Sequence, residues 1–200
     1  MCIRDSISSK KWSLFADGLH ESLGLWIDPK TSETFVIQRG EITKLIDTNG
    51  DGKADLYESF NAGWGVTDNY HEYAFGSKFD KDGNMWIVLC LTGSFSSKVP
   101  YRGWCVRVTK DGKMIPTASG IRSPGGIGLN CAGEAFYCDN QGPWNGTSTL
   151  KHLTPGSFQG HPGGFRWYDL EATKKAIGPK LQEPANGSRF HKEMERLPNY

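Results

Sequence analysis

The chain has 200 residues, of which 23 are basic and 22 acidic, so its formal net charge is only +1. Hydrophobic residues make up 37% of the sequence, and no apolar run approaches the roughly 20 residues that a transmembrane helix needs. No stretch concentrates positive charge, which argues against a nucleic-acid-binding protein. The 25 glycines, 10 prolines and many aromatic residues instead predict a folded, turn-rich, mostly β protein.

Residues 1–11 differ in character from the sequence that follows. They begin with MCIRDS, which is too short and too polar for a secretory signal peptide. From residue 12 onward, short apolar segments alternate with turns. We therefore expect residues 1–11 to be a leader that is foreign to the domain.

A pattern of about 50 residues recurs three times over residues 12–168. Each unit has a short glycine-containing strand, a polar turn, a second strand rich in aromatic and β-branched residues, and a third strand. The second strands begin at Thr34, Asn84 and Glu134, which are 50 residues apart. In the middle unit, the Asp-Gly turn of TKDGK predicts a hairpin to a fourth strand, MIPTAS.

This pattern predicts an all-β fold, a partial β-propeller of about three four-stranded blades. The blades are expected over residues 12–68, 69–121 and 122–168. An ordinary β-sandwich would also contain short strands and turns, but it would not require a repeated register. Propellers close with roughly four to eight blades, so we expect the chain to be part of a longer protein. Residues 169–200 predict a short helical tail and a linker toward a further blade.

The segment DTNGDGKADLYE, which follows the third strand of the first unit, fits a calcium-binding loop. Its ligand positions fall on Asp47, Asn49, Asp51, the carbonyl of Lys53, Asp55 and Glu58. Calcium takes about six to eight oxygen ligands on a sharply turned loop, and Gly52 would supply the turn. The flanking segments KLI and LYESF resemble strands, so the prediction is a strand–loop–strand site. A polar turn without an ion is the alternative.

Polar side chains stand just before the first strand of each unit. They are His20, then His71 with Glu72, and then Arg122. The first strand of each propeller blade lines the central channel, so we expect these side chains to converge on one pocket. Arginine offers a two-pronged donor for an anionic or hydroxylated ligand, and histidine can act as a base near neutral pH. Surface hydrogen bonding is the alternative role, and we favour it for His20.

Five cysteines form neither a CxxC pair nor the CxxCH motif of covalently attached haem. A zinc site and a haem in this chain are therefore not supported. Cys90 and Cys105 fall on neighbouring predicted strands, where both a disulfide and two buried free thiols are compatible with the sequence. We favour the thiols.

These motifs resemble the glucose/sorbosone dehydrogenase family of six-bladed propellers, many of which use pyrroloquinoline quinone (PQQ). The stretch HEYAFGSKFDKDGNMWIVL from His71 is similar to the family's catalytic stretch, with one residue more before its Asp-Gly turn. GIRSPGG is similar to the G-x-R-N-P-x-G motif, with Ser123 in place of Asn. GSFQGHP is similar to G-x-N-Y-G-W-P, with His161 in place of Trp.

A narrower resemblance is to large dehydrogenase-like proteins of planctomycete and verrucomicrobial type. Sequences similar to DTNGDGKAD, NYHEYAFG, YRGWCVRVTKDGKMIP and DNQGPWNGTS recur together in that group. Its members often carry helical repeats and a c-type haem domain after the propeller. Neither is present in this sequence.

The resemblance implies oxidation of a sugar or polyol by hydride transfer to a quinone. It implies that His71 removes the hydroxyl proton, that Arg122 stabilises the charge of the reduced cofactor, and that Arg122, Ser123, Glu72 and His161 contact PQQ. It also implies a periplasmic or secreted location, and a cytochrome c domain of the parent protein as electron acceptor.

A non-catalytic propeller that binds carbohydrate or protein through its channel is the alternative function. Several aromatic residues that stand among glycines and asparagines could stack on sugar rings, with packing between the blades as the alternative role for most of them: Trp64, Tyr70, Tyr73, Trp104 and Trp144. The position of His71 separates the two functions, because burial of this side chain against a blade would favour binding over catalysis.

Overall fold

The computed structural model describes residues 2–6, 11–91, 97–142 and 146–177. These residues form strands, a 3-10 helix at Pro162–Trp167 and one short α-helix, α1 (Glu171–Ile177). The strands are β1 (Cys2–Ser6), β2 (Lys11–Ala16), β3 (Gly24–Ile27), β4 (Thr34–Ile37), β5 (Ile42–Ile46), β6 (Leu56–Asn61), β7 (Ala74–Phe79), β8 (Asn84–Leu89), β9 (Trp104–Thr109), β10 (Met114–Ser119), β11 (Gly126–Leu129), β12 (Ala135–Asp139) and β13 (Thr149–Leu153).

Three antiparallel sheets follow one another along the chain. Blade 1 has the strand order β3-β4-β5-β6, blade 2 has β7-β8-β9-β10, and blade 3 has β11-β12-β13. The first strands are neighbours in space, since β3 lies beside β7 and β7 beside β11. The protein is therefore a partial all-β propeller, and the predicted fold class is confirmed.

The same turn joins the first two strands of each blade. The turns begin at Asp28, Asp80 and Asn130, and in each a side-chain oxygen accepts backbone N–H groups of the turn, at 2.7 to 3.1 Å. The backbone N–H of each of these residues donates to the carbonyl four or five positions later. Asp and Asn favour such turns because their short side chains reach the backbone just beyond them.

Apolar side chains fill the space between blades 1 and 2 and the space between blades 2 and 3, and β8 contributes side chains to both spaces. Met85, Ile87 and Leu89 belong to the cluster that includes Phe35 and Ile37 of blade 1. Trp86 and Val88 point the other way and join the cluster that contains Ala135, Tyr137 and Leu153 of blade 3. Because successive side chains of a strand point to opposite faces, a strand packed on both sides has the continuous apolar sequence MWIVL.

The chain after β13 returns to the outer edge of blade 2. Ser119 of β10 forms a parallel bridge with Phe158, and the N–H of His161 donates to the carbonyl of Gly120 at 2.8 Å. Blade 3 therefore has three strands in the described part of the chain, where four were expected. The close approach requires glycine, since a Cβ on Gly164 would lie 2.3 Å from the nitrogen of Gly120.

The hairpin of β1 and β2 lies at the start of the described chain, against blade 1. Its strands pair from Cys2 with Ala16 to Ser6 with Lys11. Ala16 is buried in a cluster with Val36 and Leu45 of blade 1. The predicted foreign leader thus pairs with β2, and the proposed domain boundaries stay a prediction. Residues 178–200 of the expected linker lie outside the described residues.

Two further sequence predictions concern thiols and membranes. Cys90 and Cys105 are both buried free thiols. No helix in the described ranges is long and apolar enough to cross a membrane.

Candidate functional site

The starts of the first strands and the ends of the second strands meet at one end of each blade. The N–H of Leu23 donates to the carbonyl of Ile37, that of Cys90 to Tyr73, and that of Gly125 to Cys138, at 2.9 to 3.0 Å. The residues that precede β3, β7 and β11 therefore lie at the same end of the propeller. We call it the funnel end.

His71 is half-buried at the funnel end of blade 2. Its backbone N–H donates to Oδ1 of Asn69 at 3.1 Å. Its imidazole lies against the ring of Tyr70, with centroids 3.8 Å apart and an interplanar angle of 36°. Tyr70 is 63% exposed. The histidine is thus supported on one side by an exposed aromatic ring and is not packed into the core.

Arg122 and Ser123 stand at the funnel end of blade 3, next to the segment that carries His71. The carbonyl of Arg122 accepts the N–H of Leu91 at 2.8 Å, and Sγ of Cys90 donates to Oγ of Ser123 at 3.8 Å. Cys90 also bonds to Tyr73, two residues after His71. The structure thus brings His71 and Arg122 to adjacent blades with the end of β8 between them. Arg122 is half-buried, and its guanidinium donates to the carbonyl of Gln141.

Asp139, which the sequence motifs do not single out, organises the turn at Arg122 and Ser123. Only 2% of this residue is exposed. Its carboxylate accepts the N–H of Ser123 at 3.0 Å, the N–H of Arg122 at 3.4 Å and the hydroxyl of Tyr137 at 3.0 Å, and lies 3.7 Å from Nζ of Lys151. Burial, followed by the charge of Asp139, raises the pKa of Tyr137. The sequence offers one signal for this role, which is that Asp139 ends the second strand of blade 3, at the same end of the propeller as Arg122.

Glu72 is buried in the structure, and its expected contact with a ligand stays a prediction. It is 1% exposed, its Oε2 accepts the hydroxyl of Thr67 at 2.5 Å, and it lies 3.7 Å from Nε of Arg102. Arg102 is fully buried, and this burial lowers its pKa to about 10, although the charge of Glu72 opposes the shift. Glu72 therefore balances a buried cation inside the protein.

His161 is also buried, and its expected contact with the cofactor stays a prediction. It is 0% exposed, and its Nδ1 accepts the N–H of Gly163 at 2.9 Å, so it caps the 3-10 helix. Burial, reinforced by the charge of Arg122, lowers the pKa of His161 to about 3. A neutral, buried cap is a structural role.

His20 lies on the surface. Its side chain is exposed and is 3.6 Å from the carboxylate of Glu21. Its backbone N–H donates to Oε1 of Gln38 at 2.5 Å. These contacts match the surface hydrogen-bonding role that the sequence favours for this residue.

The predicted calcium loop joins β5 to β6, as a strand–loop–strand unit. Asp47 accepts the N–H groups of Gly50 and Gly52 at 2.7 and 2.8 Å, and the bond from Gly52 is the main reason why its pKa is lowered. The other ligand positions are similarly engaged or lie outside the turn: Asn49 accepts from Asp51, Asp51 accepts from Lys53, Asp55 accepts from Thr48, and Glu58 lies in β6. Within the described ranges, no group of three or more His, Cys, Asp or Glu residues is placed to hold a metal ion. Calcium binding stays a prediction.

A family profile described as "Domain of unknown function (DUF7133)" matches residues 5–183. The chain belongs to the DUF7133 family. A comparison with curated protein sequences finds no match.

Solved structures similar to this DUF7133 chain include three that are described as glucose dehydrogenases. One matches 86% of the chain with a TM-score of 0.57 at 17% identity, and a second matches 89% with a TM-score of 0.56 at 16% identity; each match covers 59% of the other protein. A third, an oxidoreductase from Thermus thermophilus that is described as a glucose dehydrogenase, matches 77% of the chain and 57% of its own length, with a TM-score of 0.55 at 17% identity.

At these identities, the similarity establishes a common fold. The DUF7133 chain spans about three fifths of the length of the glucose dehydrogenases that it matches. The narrower resemblance to planctomycete and verrucomicrobial proteins stays a prediction.

Proposed function

We propose that the chain is part of a PQQ-dependent dehydrogenase that oxidises a hydroxyl or aldehyde group of a sugar or polyol. The observation that carries the proposal is the placement of His71 and Arg122 at the funnel end of adjacent blades, linked through the end of β8. His71 is a half-buried base, and Arg122 is a half-buried cation. Basic residues gathered at one end of a fold are typical of a site for an acidic ligand.

The donor chemistry at the funnel end fits PQQ, which is an acidic quinone. Arg122 supplies a guanidinium for an anionic oxygen, and Ser123 supplies a hydroxyl beside it. Glu72 and His161 lie inside the protein, so we assign the cofactor contacts to Arg122 and Ser123. When bound, PQQ would accept the hydride that leaves the carbon of the substrate.

The remaining chemistry belongs to side chains of this chain. The His71 imidazole takes the proton of the substrate hydroxyl as the C–O bond gains double-bond character. Tyr70 covers one face of this imidazole and limits how it can turn. Asp139 holds the backbone of Arg122 and Ser123, so the turn that carries them keeps its place at the funnel end when the ligand arrives.

The test is reconstitution of the full-length protein that contains this chain with PQQ and an artificial electron acceptor, using a panel of aldoses and polyols. We expect PQQ-dependent oxidation that falls by about 100-fold or more in His71→Ala, because a general base contributes on that order. His20→Ala, a change at an exposed histidine, serves as the matched control and should retain activity. Saturable PQQ binding without oxidation of any substrate would contradict the proposal.

The exposed ring of Tyr70 favours a second candidate function, carbohydrate binding without catalysis. In that case, sugars should bind in the absence of PQQ, and Tyr70→Ala should abolish binding while His71→Ala leaves it intact. Calorimetric titration of both variants with sugar separates the two functions.

Calcium binding by the Asp47–Glu58 loop is a further proposal, supported by the ligand spacing and by the strand–loop–strand geometry. Isothermal titration should show calcium binding, and calcium should raise the melting temperature of the wild type but not of Asp51→Ala. No calcium heat, together with equal melting temperatures, would contradict it. A periplasmic or secreted location and a cytochrome c electron acceptor are also proposals, supported by the sequence resemblance.

A further inference from the structure

The loop that carries His71, residues 65–73, has no regular secondary structure. One buried arginine nevertheless bonds to both ends of this loop. Arg102 is 0% exposed. Its Nη1 donates to the carbonyl of Glu72 at 2.6 Å and to that of Tyr73 at 2.9 Å, and its Nη2 donates to the carbonyl of Gly65 at 2.9 Å. Two of these carbonyls belong to the residues that directly follow His71.

A second buried arginine holds the middle of the same loop. Nη2 of Arg39 donates to the carbonyl of Thr67 at 3.2 Å and to that of Asn69. The backbone carbonyl of Arg39 accepts from Nη2 of Arg102 at 3.2 Å, so the two arginines are linked. Together they bond to five carbonyls between residues 65 and 73. We call this arrangement the arginine clamp.

The charges of the arginine clamp are balanced by two carboxylates, one of which belongs to the loop itself. Glu72 lies 3.7 Å from Nε of Arg102, and Thr67 donates to it. Glu21 lies 3.4 Å from Nη1 of Arg39. A buried guanidinium is costly unless it is paired and fully bonded, and an apolar side chain would fill the same space without that cost. Unlike an apolar side chain, the planar guanidinium donates several hydrogen bonds in fixed directions, so it holds several backbone carbonyls in one geometry.

We propose that Arg39 and Arg102 are positioning residues that hold the loop of residues 65–73, so that His71 stays against Tyr70 and open to the funnel end. The catalytic meaning of this role rests on the proposed function. The holding of the loop itself can be measured without any activity, which keeps the two proposals separable.

The experiment compares the wild-type chain with Arg102→Lys by NMR and amide hydrogen exchange. Lysine keeps a positive charge opposite Glu72 but cannot bond to three carbonyls in a fixed plane. We expect amides of residues 65–73 to exchange at least about tenfold faster, because charge-assisted bonds to the loop are lost. The ring-current shift that Tyr70 imposes on the His71 imidazole protons should shrink toward the value of an unstacked histidine.

A matched control removes a buried hydrogen bond elsewhere. Tyr168→Phe deletes the hydroxyl that bonds to Ser119, outside the loop. It should lower stability without changing the exchange of residues 65–73 or the His71 shift. Under the proposed function, Arg102→Lys should lower kcat for sugar oxidation while KM changes little, because the base is misplaced but the substrate contacts remain.

Unchanged loop exchange and an unchanged His71 shift in Arg102→Lys would overturn the arginine clamp. If Arg102→Lys does not fold, Arg39→Lys is tested instead, because it leaves the pair of Arg102 and Glu72 intact. The amide exchange of residues 65–73 and the chemical shift of the His71 imidazole then test the proposal in the same way. A full-length wild-type protein that binds PQQ but oxidises no substrate would refute the proposed function. In that case, faster loop exchange and a lost His71 shift in the lysine variant would still support the arginine clamp.

Discussion

The buried imidazole of His161 predicts a loss of stability in mild acid. Its pKa is lowered from 6.5 to about 3, because burial and the charge of Arg122 disfavour the imidazolium. The unfolded chain binds this proton as pH falls below 6.5, whereas the folded chain does not bind it until about pH 3. His161 therefore leaves stability unchanged above pH 6.5 and lowers it progressively between pH 6.5 and about 3. Each pH unit in this window costs about 1.4 kcal/mol, so lowering the pH from 6.5 to 5 should cost about 2 kcal/mol.

The assay is urea unfolding of the wild type and of His161→Gln at about pH 7.5 and about pH 5. Glutamine retains an acceptor for the N–H of Gly163 but does not titrate, so the variant should lose about 2 kcal/mol less than the wild type between the two conditions. His152→Gln, a change at an exposed histidine, should keep the wild-type dependence. Equal losses in the wild type and His161→Gln, or an NMR titration of His161 near pH 6.5, would refute the reasoning.

Two further predictions concern packing and buried charge. Gly164→Ala should lower the free energy of unfolding by about 3 kcal/mol, because the added methyl group would lie 2.3 Å from a backbone nitrogen of blade 2. Gly128→Ala, at a position with open space, should lower it by less than about 1 kcal/mol, and equal losses in the two variants would contradict the packing argument. Asp139→Asn should lower the free energy of unfolding, measured by chemical denaturation, by about 3 kcal/mol, because it leaves Lys151 without its carboxylate and turns an amide NH₂ toward other donors. A loss no greater than that of Asp82→Asn, a change at an exposed residue, would show that the buried pair contributes little.

Local chemistry explains why so much of the fold could be predicted. Asp28, Asp80 and Asn130 each bond to the backbone of their own turn, so the turn is encoded within about five residues. Strands between such turns must run antiparallel. This alternation also places the start of every first strand at one end of the propeller, which is why His71 and Arg122 could be predicted to share it.

Long-range contacts explain what could not be predicted at the site. His71 and Glu72 are adjacent in a loop without strand alternation, and nothing local determines which of them turns inward. Glu72 is buried because Arg102, 30 residues later, places its guanidinium beneath the loop. Asp139 becomes a bonding centre because Ser123 and Lys151 arrive from other segments.

The sequence by itself determined the order of strands and turns, the partial all-β propeller and the end at which polar side chains gather. These properties depend on side-chain periodicity and on hydrogen bonds within a few residues. The tertiary structure alone decided the surroundings of those polar side chains: His71 half-buried, Glu72 paired with a buried arginine, and His161 capping a helical turn inside the protein. Burial and partners are set by segments distant in sequence, and residue type alone does not specify them.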